Sequence, residues 1–542
     1  MSHDRGTPTS SDQSYPPSAE PARPVNARAK GTLAAASLAV MVAQVANALP
    51  GALNGEFQLT FNSFGSQLTW ITAAFMIPVV VFELTFGVLG DKFGHRRLVL
   101  GGAVLVVLGS LVCAFSPSIQ AMWVGSALNG LGAGAIFPAS LALVASVART
   151  MQERVRGIAI WAGFLSAGSA VSPLLGGVFA GFGWWRGAYL VVALVSVAAM
   201  LLTIFRSAEA KVAEGRRLDL WGQITFALGL ILVLFGLVQG PEDGWTATHI
   251  IGALMAGAVL LAVFVAIELR VESPLLELRL FLNRQFTVSS IVAVVGMFAF
   301  LGACFSTSMW LGPVQHQNPL FLGLLFLLLQ GPAFVLIPVL SRLQHRVPAR
   351  WLMTFGFLAM GAGAFMNSTA DVANRDVSVF VLPSLLVGLG FAFTLSPMTA
   401  IAVNSVPREM TGMASATTNL LRDLGFALGP VLVGAIALSS AGGQLMASLQ
   451  TSGLPADQLG PAMGIAQAGG PIALNSLPEG VPGAAAGQLA MEALGSGFTQ
   501  AFLVVAAAAL AAALLSWFGL GGRRGAAADP AAGAAEQLEP AP

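Results

Sequence analysis

The sequence predicts an all-α polytopic membrane protein with fourteen transmembrane helices and both termini on the cytoplasmic side. Three observations predict it. The 542-residue chain is 56% hydrophobic and only 9% charged, where soluble domains carry about 25% charged residues. Its apolar residues fall in continuous runs of about 20, long enough to cross a hydrocarbon layer as helices; a membrane β-barrel would show short alternating segments instead. Its basic residues alternate between successive connections as the positive-inside rule requires.

The spans justify themselves in order. Residues 1–30 are polar and rich in Ser and Pro, and read as a disordered tail holding Arg5, Arg23, Arg28 and Lys30. The first span is 31–51. Ala46-Asn47-Ala48 resembles a signal-peptide cleavage site, but the polar tail before it is too long for an ordinary n-region, so the span reads as uncleaved. Spans two (66–89) and three (98–116) flank Lys92, Arg96 and Arg97, and spans four (120–147) and five (157–181) flank Arg149, Arg154 and Arg156. Span six (186–205) leads to Arg206, Lys211, Arg216 and Arg217, then to spans seven (220–239) and eight (249–269). Arg270, Arg279 and Arg284 precede span nine (286–312), and Arg342, Arg346 and Arg350 separate spans ten (319–341) and eleven (350–368). Arg408 separates spans twelve (377–403) and thirteen (410–440), and Arg523 and Arg524 follow span fourteen (498–520). In this arrangement 23 of 26 Lys and Arg residues are inner; Arg186 and Arg375 are outer, and Arg422 is inside a span. A wrong span count would scramble the alternation from the error onward.

Other features are bland. Residues 441–497 lack Lys and Arg, are rich in Ala, Gly, Pro and Gln, and read as a long flexible outer loop. Residues 521–542 read as a second disordered tail. Cys113 and Cys304 lie in apolar runs and read as packing residues. Trp184, Trp185 and Trp245 fall at outer span edges and Trp221 and Trp351 at inner ones, as an aromatic belt would.

Between spans two and three, residues 87–97 read GVLGDKFGHRR. Gly87 and Gly90 allow another helix to approach closely. Asp91 and Lys92 stand where the helix emerges, and Gly94 suits a tight turn. His95, Arg96 and Arg97 can meet anionic lipid heads or carboxylates. A merely topogenic basic loop would not need the Gly-Gly-Asp-Gly frame. The stretch resembles the G-x-L-[GA]-D-[RK]-x-G-[RK]-[RK]-[RK] signature of the major facilitator superfamily, with His95 in place of the first basic residue. ALNGLGAGAIFPASLAL (127–143) is similar to the fourth-helix motif. ERVRGIAIWAGFLSAGSAVSPLLGG (153–177) is similar to the fifth-helix antiporter motif of exporters, carried by Gly168, Ser172, Pro173, Gly176 and Gly177, with Ser172 where a Gly is usual. RRLDLWGQ (216–223), SPLLELRLFLNRQFT (273–287) and VPREMTGMASATTNLLRDLGFALG (406–429) extend the likeness, nearest the fourteen-helix drug:proton antiporter branch.

The resemblance implies two six-helix bundles, 31–205 and 286–520, joined by a linker with two extra spans, 206–285. The bundles rock about a midplane cavity. Asp91 would latch them on the cytoplasmic side against the start of the thirteenth helix. Departures weaken the proton-coupled form. Ser126 and Asn129 stand where the fourth-helix motif carries Arg and Gln. The first span holds no acid, and no span holds a histidine: His3, His95 and His345 are cytoplasmic, His249 and His316 outer.

The intramembrane charges that stand out are Glu83, Arg422 and Asp423, and ionisable residues in a bilayer are functional candidates by default. Glu83 and Arg422 lie at comparable depth in spans expected to meet. The expectation is a Glu83–Arg422 pair released by protonation; a permanent pair, or a Glu83 paired elsewhere, is the alternative. Gln44, Asn47, Asn129 and Trp310 are candidate cavity residues, each also explicable as helix packing. A mostly apolar wall suits an amphipathic small-molecule substrate.

The leading expectation is a secondary exporter of drugs or a natural product with proton antiport, in a bacterial cell membrane. An exporter of a specific lipid-like metabolite with altered or absent coupling is the alternative, and a transporter-like sensor or scaffold a remote one. No Walker-type phosphate loop or metal-ligand cluster is present in the sequence, so no enzyme activity, cofactor or metal is expected. The expected partners are the small molecule, protons and the lipid bilayer, with no nucleic acid, and the chain is expected to act as a monomer.

Overall fold

The computed structural model describes residues 27–148, 150–208, 219–271, 274–344, 346–406 and 410–520. Most of 1–30, all of 521–542, and Arg149, Lys211, Arg216, Arg217, His345 and Arg408 lie outside the described residues. The helices are α1 (Ala27–Ala48), α2 (Asn54–Phe61), α3 (Ser66–Phe93), α4 (His95–Ala114), α5 (Ile119–Val147) and α6 (Met151–Gly181). They continue as α7 (Arg186–Arg206), α8 (Leu220–Asp243), α9 (Thr248–Glu268), α10 (Arg284–Met309), α11 (Pro319–Val335) and α12 (Ile337–Gln344). The last are α13 (Ala349–Ser368), α14 (Val381–Asn404), α15 (Thr411–Thr451), α16 (Ala456–Asn475) and α17 (Gly487–Leu514).

Thirteen of these helices are long and apolar enough to cross a membrane. The remaining crossing, expected at 319–341, is divided: α11 ends at Val335, and α12 begins after a break at Leu336. Pro332 has already removed one amide from the α11 ladder. The stretch 441–497 carries helix where a flexible loop was expected. The 41-residue α15 spans roughly 60 Å at 1.5 Å per residue, about twice the hydrocarbon thickness. Its outer extension packs with α16 and the start of α17 around Leu445, Leu449, Ala462, Leu474 and Ala490. The physical reason is that Ala and Gln favour helix well, although their low hydropathy hides the segment from a search for spans.

Helices α1 and α3–α7 pack as one bundle, and α10, α11, α13, α14, α15 and α17 as a second. Glycines let the backbones touch: a Cβ on Gly102 would stand 2.7 Å from the Gly132 carbonyl oxygen, and one on Gly356 2.8 Å from that of Gly390. The bundles meet along two seams, α6 with α11 and α3 with α15.

Helix α8 packs on α9 and also on both α3 and α15, so it covers one seam. Gln223 Nε2 donates to the Val81 carbonyl at 2.6 Å, and the Gln223 side-chain oxygen accepts from Thr85. At the outer end Glu242 accepts from the Ser66 amide at 3.0 Å and its hydroxyl at 2.5 Å, and Gln239 accepts from Trp70 Nε1 at 3.3 Å. Trp245, just past α8, donates to Ser439 Oγ of α15 at 3.1 Å.

Trp184, Trp221, Trp245 and Trp351 are exposed, whereas Trp185, expected at the outer edge, is buried. Its ring packs against Phe57, Phe61 and Tyr189, and its Nε1 donates to Thr60 Oγ1 at 3.0 Å. Cys113 and Cys304 are buried free thiols.

The outer extension folds on its own small core, so Leu449→Ala should cost about 2–5 kcal/mol there. The expected result is faster protease nicking between residues 452 and 486 in the purified protein, with the membrane helices intact by circular dichroism.

Candidate functional site

Between the bundles lies a cavity of about 800 Å³. Gln44 and Asn47 of α1 mark its outer end, and Asp91, His95, Arg154 and Met413 mark its inner end. Pro274 and Leu275, from the connection before α10, also stand at the inner mouth.

The outer side is closed by backbone contact. A Cβ on Gly177 of α6 would stand 2.5 Å from the Pro319 carbonyl oxygen of α11, and one on Gly323 2.7 Å from that of Pro173. Gly55 meets Gly312 at 3.2 Å in the same sense. Asn54 Nδ2 donates to Ser308 Oγ at 2.9 Å, whose hydroxyl donates to the Gly51 carbonyl at 2.5 Å. The cavity therefore opens on the inner side.

The antiporter-like stretch divides its small residues between two partners. A Cβ on Gly168 would stand 2.6 Å from the Met41 carbonyl oxygen, and Gly176 faces Leu49, Ala52 and Leu53, so both pack on the α1 side. Ser172, fully buried, donates to the Val45 carbonyl at 2.6 Å. Its hydroxyl thus occupies the place of the usual Gly with a bond to the neighbouring helix. Pro173 and Gly177 face the other bundle.

Helix α3 carries Glu83, Gly87 and Asp91 at i, i+4 and i+8, and all three line the cavity. Gly87 was expected to admit a neighbouring helix. A Cβ there would meet nothing within 4 Å, because this face of α3 borders open space. Gly90 is covered by the His95 imidazole at the start of α4, the helix that follows in sequence. His95 Nε2 donates to Asp91 Oδ1 at 3.0 Å. Gly94 ends α3 at φ 99°, a left-handed value that glycine tolerates. Arg96 caps the end of α7, donating to the carbonyls of Thr203 at 3.3 Å and Ile204 at 2.7 Å. Lys92 and Arg97 are exposed, Lys92 Nζ lying 5.4 Å from the Phe93 ring centroid.

The expected Glu83–Arg422 ion pair is not formed among the described residues. Arg422 Nε instead lies 3.4 Å from Oδ1 of its neighbour Asp423, which reaches the guanidinium without crossing the cavity. Buried Glu83 stays within electrostatic range of both, and its Oε2 has no hydrogen-bond partner. The structure thus brings together three buried or half-buried charged groups, two carboxyls and one guanidinium.

Of the four candidate cavity residues, Gln44 and Asn47 line the cavity. Asn129 does not. It faces α4, accepting from Ser110 Oγ at 3.1 Å and lying 3.9 Å from Cys113 Sγ. Trp310 is fully buried in the second bundle against Phe380 and Phe502. Which way a residue faces depends on helix rotation, which polarity alone does not set. Residues that sequence reasoning missed are Gln330, Phe391, Phe426 and Trp161, all on the cavity wall. Gln330 carried a usable signal, since it is a lone amide in the run LLLQGPAF.

Two helical bundles around a cavity that is sealed on one side and open on the other define a membrane carrier of the rocking-bundle type. The chain belongs to the Major Facilitator Superfamily, whose family model matches residues 33–430. It is 29% identical over 381 residues to the multidrug resistance protein Stp of Mycobacterium tuberculosis, covering 70% of this chain and 71% of that one. It is 27% identical over 504 residues to the tetracenomycin C resistance and export protein of Streptomyces glaucescens, covering 92% and 93%. In fold it is similar to a bacterial homologue of the lysosomal transporter Spinster, solved inward-facing and unoccupied, with TM-score 0.64, 14% identity, and 91% and 97% of the two chains covered.

The outer seal makes a prediction. Gly177→Leu should force α6 from α11. In an Asn54→Cys background, labelling by a membrane-impermeant maleimide from outside should rise severalfold over the Gly177 parent.

Proposed function

We propose that the chain is a monomeric secondary exporter of small amphipathic molecules, drugs or a natural product, that works by alternating access in a bacterial cell membrane and exchanges its substrate for protons. The observation that carries this is the charge cluster Glu83, Asp423 and Arg422 on the wall of a cavity closed on the outer side. Two carboxyls and one guanidinium are neutral together only when one proton is bound, and an unbalanced charge away from water is costly. Proton binding at Glu83 or Asp423 neutralises the cluster, and proton loss to the inner side restores a net charge. The relatives' names, which speak of multidrug resistance and of resistance and export, support the direction and the substrate class.

The latch belongs to the same cycle. With the cavity open inward, Asp91 is held by His95 of the following helix. When the inner halves close, Asp91 is the acid on the cavity face of α3 able to meet the N-terminal end of α15, where a helix dipole favours negative charge. A second reading, export of a lipid-like metabolite without proton coupling, draws support from Asn129. At that motif position the side chain is occupied in α4–α5 packing and carries no charge.

The test is transport by purified protein in liposomes under an imposed pH gradient, with lipophilic dyes as probes. Gradient-driven accumulation is expected for the wild type. It should fall at least tenfold in Glu83→Gln, while passive exchange of the dye persists; Asp91→Asn should slow both modes. Accumulation that ignores the gradient in the wild type would sink proton exchange and favour the second reading. Accumulation untouched in Glu83→Gln and in Asp423→Asn would remove the charge cluster from the mechanism.

A further inference from the structure

The outer end of the cavity differs chemically from the rest of it. Gln44, Asn47, Ser169 and Gln330 line both the main cavity and a smaller space of about 80 Å³ beyond it. No charged side chain lines that smaller space. The charged wall residues Glu83, Asp91, Arg154, Arg422 and Asp423 border only the larger cavity.

The polar groups at this end have unspent bonding capacity. Gln44 Nε2 donates to Ser169 Oγ at 2.8 Å, leaving the Gln44 carbonyl as an acceptor and the Ser169 hydroxyl as a donor. Asn47 and Gln330 make no side-chain hydrogen bond among the described residues. Amides facing a small space at the end of the cavity, each with a donor and an acceptor, suit a hydroxyl or carbonyl group. A cation there would meet no counter-charge, and its burial would be costly.

Aromatic rings stand beside these amides. Phe391 and Phe426 line both spaces, with centroids 6.4 Å apart. Phe300 stacks on Phe391 at 3.8 Å and 12°, which backs that ring and fixes its plane. These rings come from the second bundle, while Gln44, Asn47 and Ser169 come from the first. The smaller space is too tight for a ring, since a cavity of about 150 Å³ takes one benzene, so it admits a small polar group while the ring stays in the main cavity.

We infer that this end of the cavity is a subsite for an uncharged hydroxyl or carbonyl group carried on a flat aromatic ring, the polar group going to the amides and the ring to Phe391 and Phe426. The inference rests on the export reading only for its biological use, because the subsite itself is defined by binding. A ligand held this way touches both bundles, so its release follows when they rotate apart.

Three probes that share one naphthalene ring system and carry no other polar group test it: 2-(hydroxymethyl)naphthalene, 2-methylnaphthalene and 2-(aminomethyl)naphthalene, measured by equilibrium dialysis on the full chain in nanodiscs without a gradient, with empty nanodiscs as the blank. The hydroxymethyl probe should bind about tenfold more tightly than the methyl probe, the value of one net hydrogen bond to a buried amide. The aminomethyl probe should bind no better than the methyl one. Gln330→Leu and Asn47→Leu should each reduce the ratio of hydroxymethyl to methyl affinity severalfold. Phe391→Leu should weaken all three by a common factor. Two substitutions on different helices keep the test alive if one of them fails to fold. Tightest binding by the aminomethyl probe, or a hydroxymethyl preference that survives both amide substitutions, would overturn the subsite. Selective binding together with no gradient-driven movement would count against export and leave the subsite standing.

Discussion

Backbone contact between α6 and α11 closes the outer side, and the rest of the architecture is arranged around that closure. Lipid tails are as apolar as leucine, so two helices in a bilayer gain little from hiding apolar side chains; close packing must hold them instead. Gly177 and Gly323 provide it by removing side-chain bulk at the crossing, so that each approaches a proline carbonyl of the facing helix, that of Pro319 or of Pro173. Below the crossing the bundles diverge, and the cavity exists because the glycine-rich contact is confined to one end. The polar residues then sort by depth. Uncharged amides sit beneath the seal, the charge cluster lies further in, and Asp91, His95 and Arg154 meet the inner mouth.

Two departures from the family motifs turn out to have structural work. Ser172 replaces a small residue and adds a bond to the Val45 carbonyl. His95 replaces a basic residue, and its flat ring fits over Gly90 while holding Asp91. Arg96 ties the start of α4 to the end of α7, which keeps the first bundle rigid at its inner rim. The eleven residues of the signature therefore divide in space: Arg96 and Gly94 shape one bundle, and Asp91 stands on the cavity wall near the opening.

The helical span pattern and the family signature were legible because each rests on a pattern along the chain: apolar run length, alternation of Arg and Lys, and spaced glycines. Three kinds of feature were not legible. Helix outside the bilayer, as in α16, has no apolar run to mark it. The break at Leu336 follows Pro332, a residue that membrane helices often carry without ending, so its presence alone does not mark a break. Side-chain direction depends on helix rotation, so Asn129 and Trp310 turned away from the cavity while Gln330 and Phe391 turned toward it. The charge cluster was half legible. Depth brought Glu83 and Arg422 to the same level, but a carboxylate one residue away competes for a guanidinium more easily than one across a cavity.

Helix α8 touches both bundles, yet it does not hold them in the same way. Toward α3 its contacts are directional: Gln223 on Val81 and Thr85, Gln239 on Trp70, and Glu242 on Ser66. Toward α15 the neighbouring loop supplies one side-chain hydrogen bond among the described residues, from Trp245 to Ser439, beside the packing of α8 on α15. By its directional contacts α8, and α9 packed on it, belongs with the first bundle. A fold that counts as six helices facing six is therefore bonded as eight against six, and its heavier half carries a built-in flank along one of the two seams.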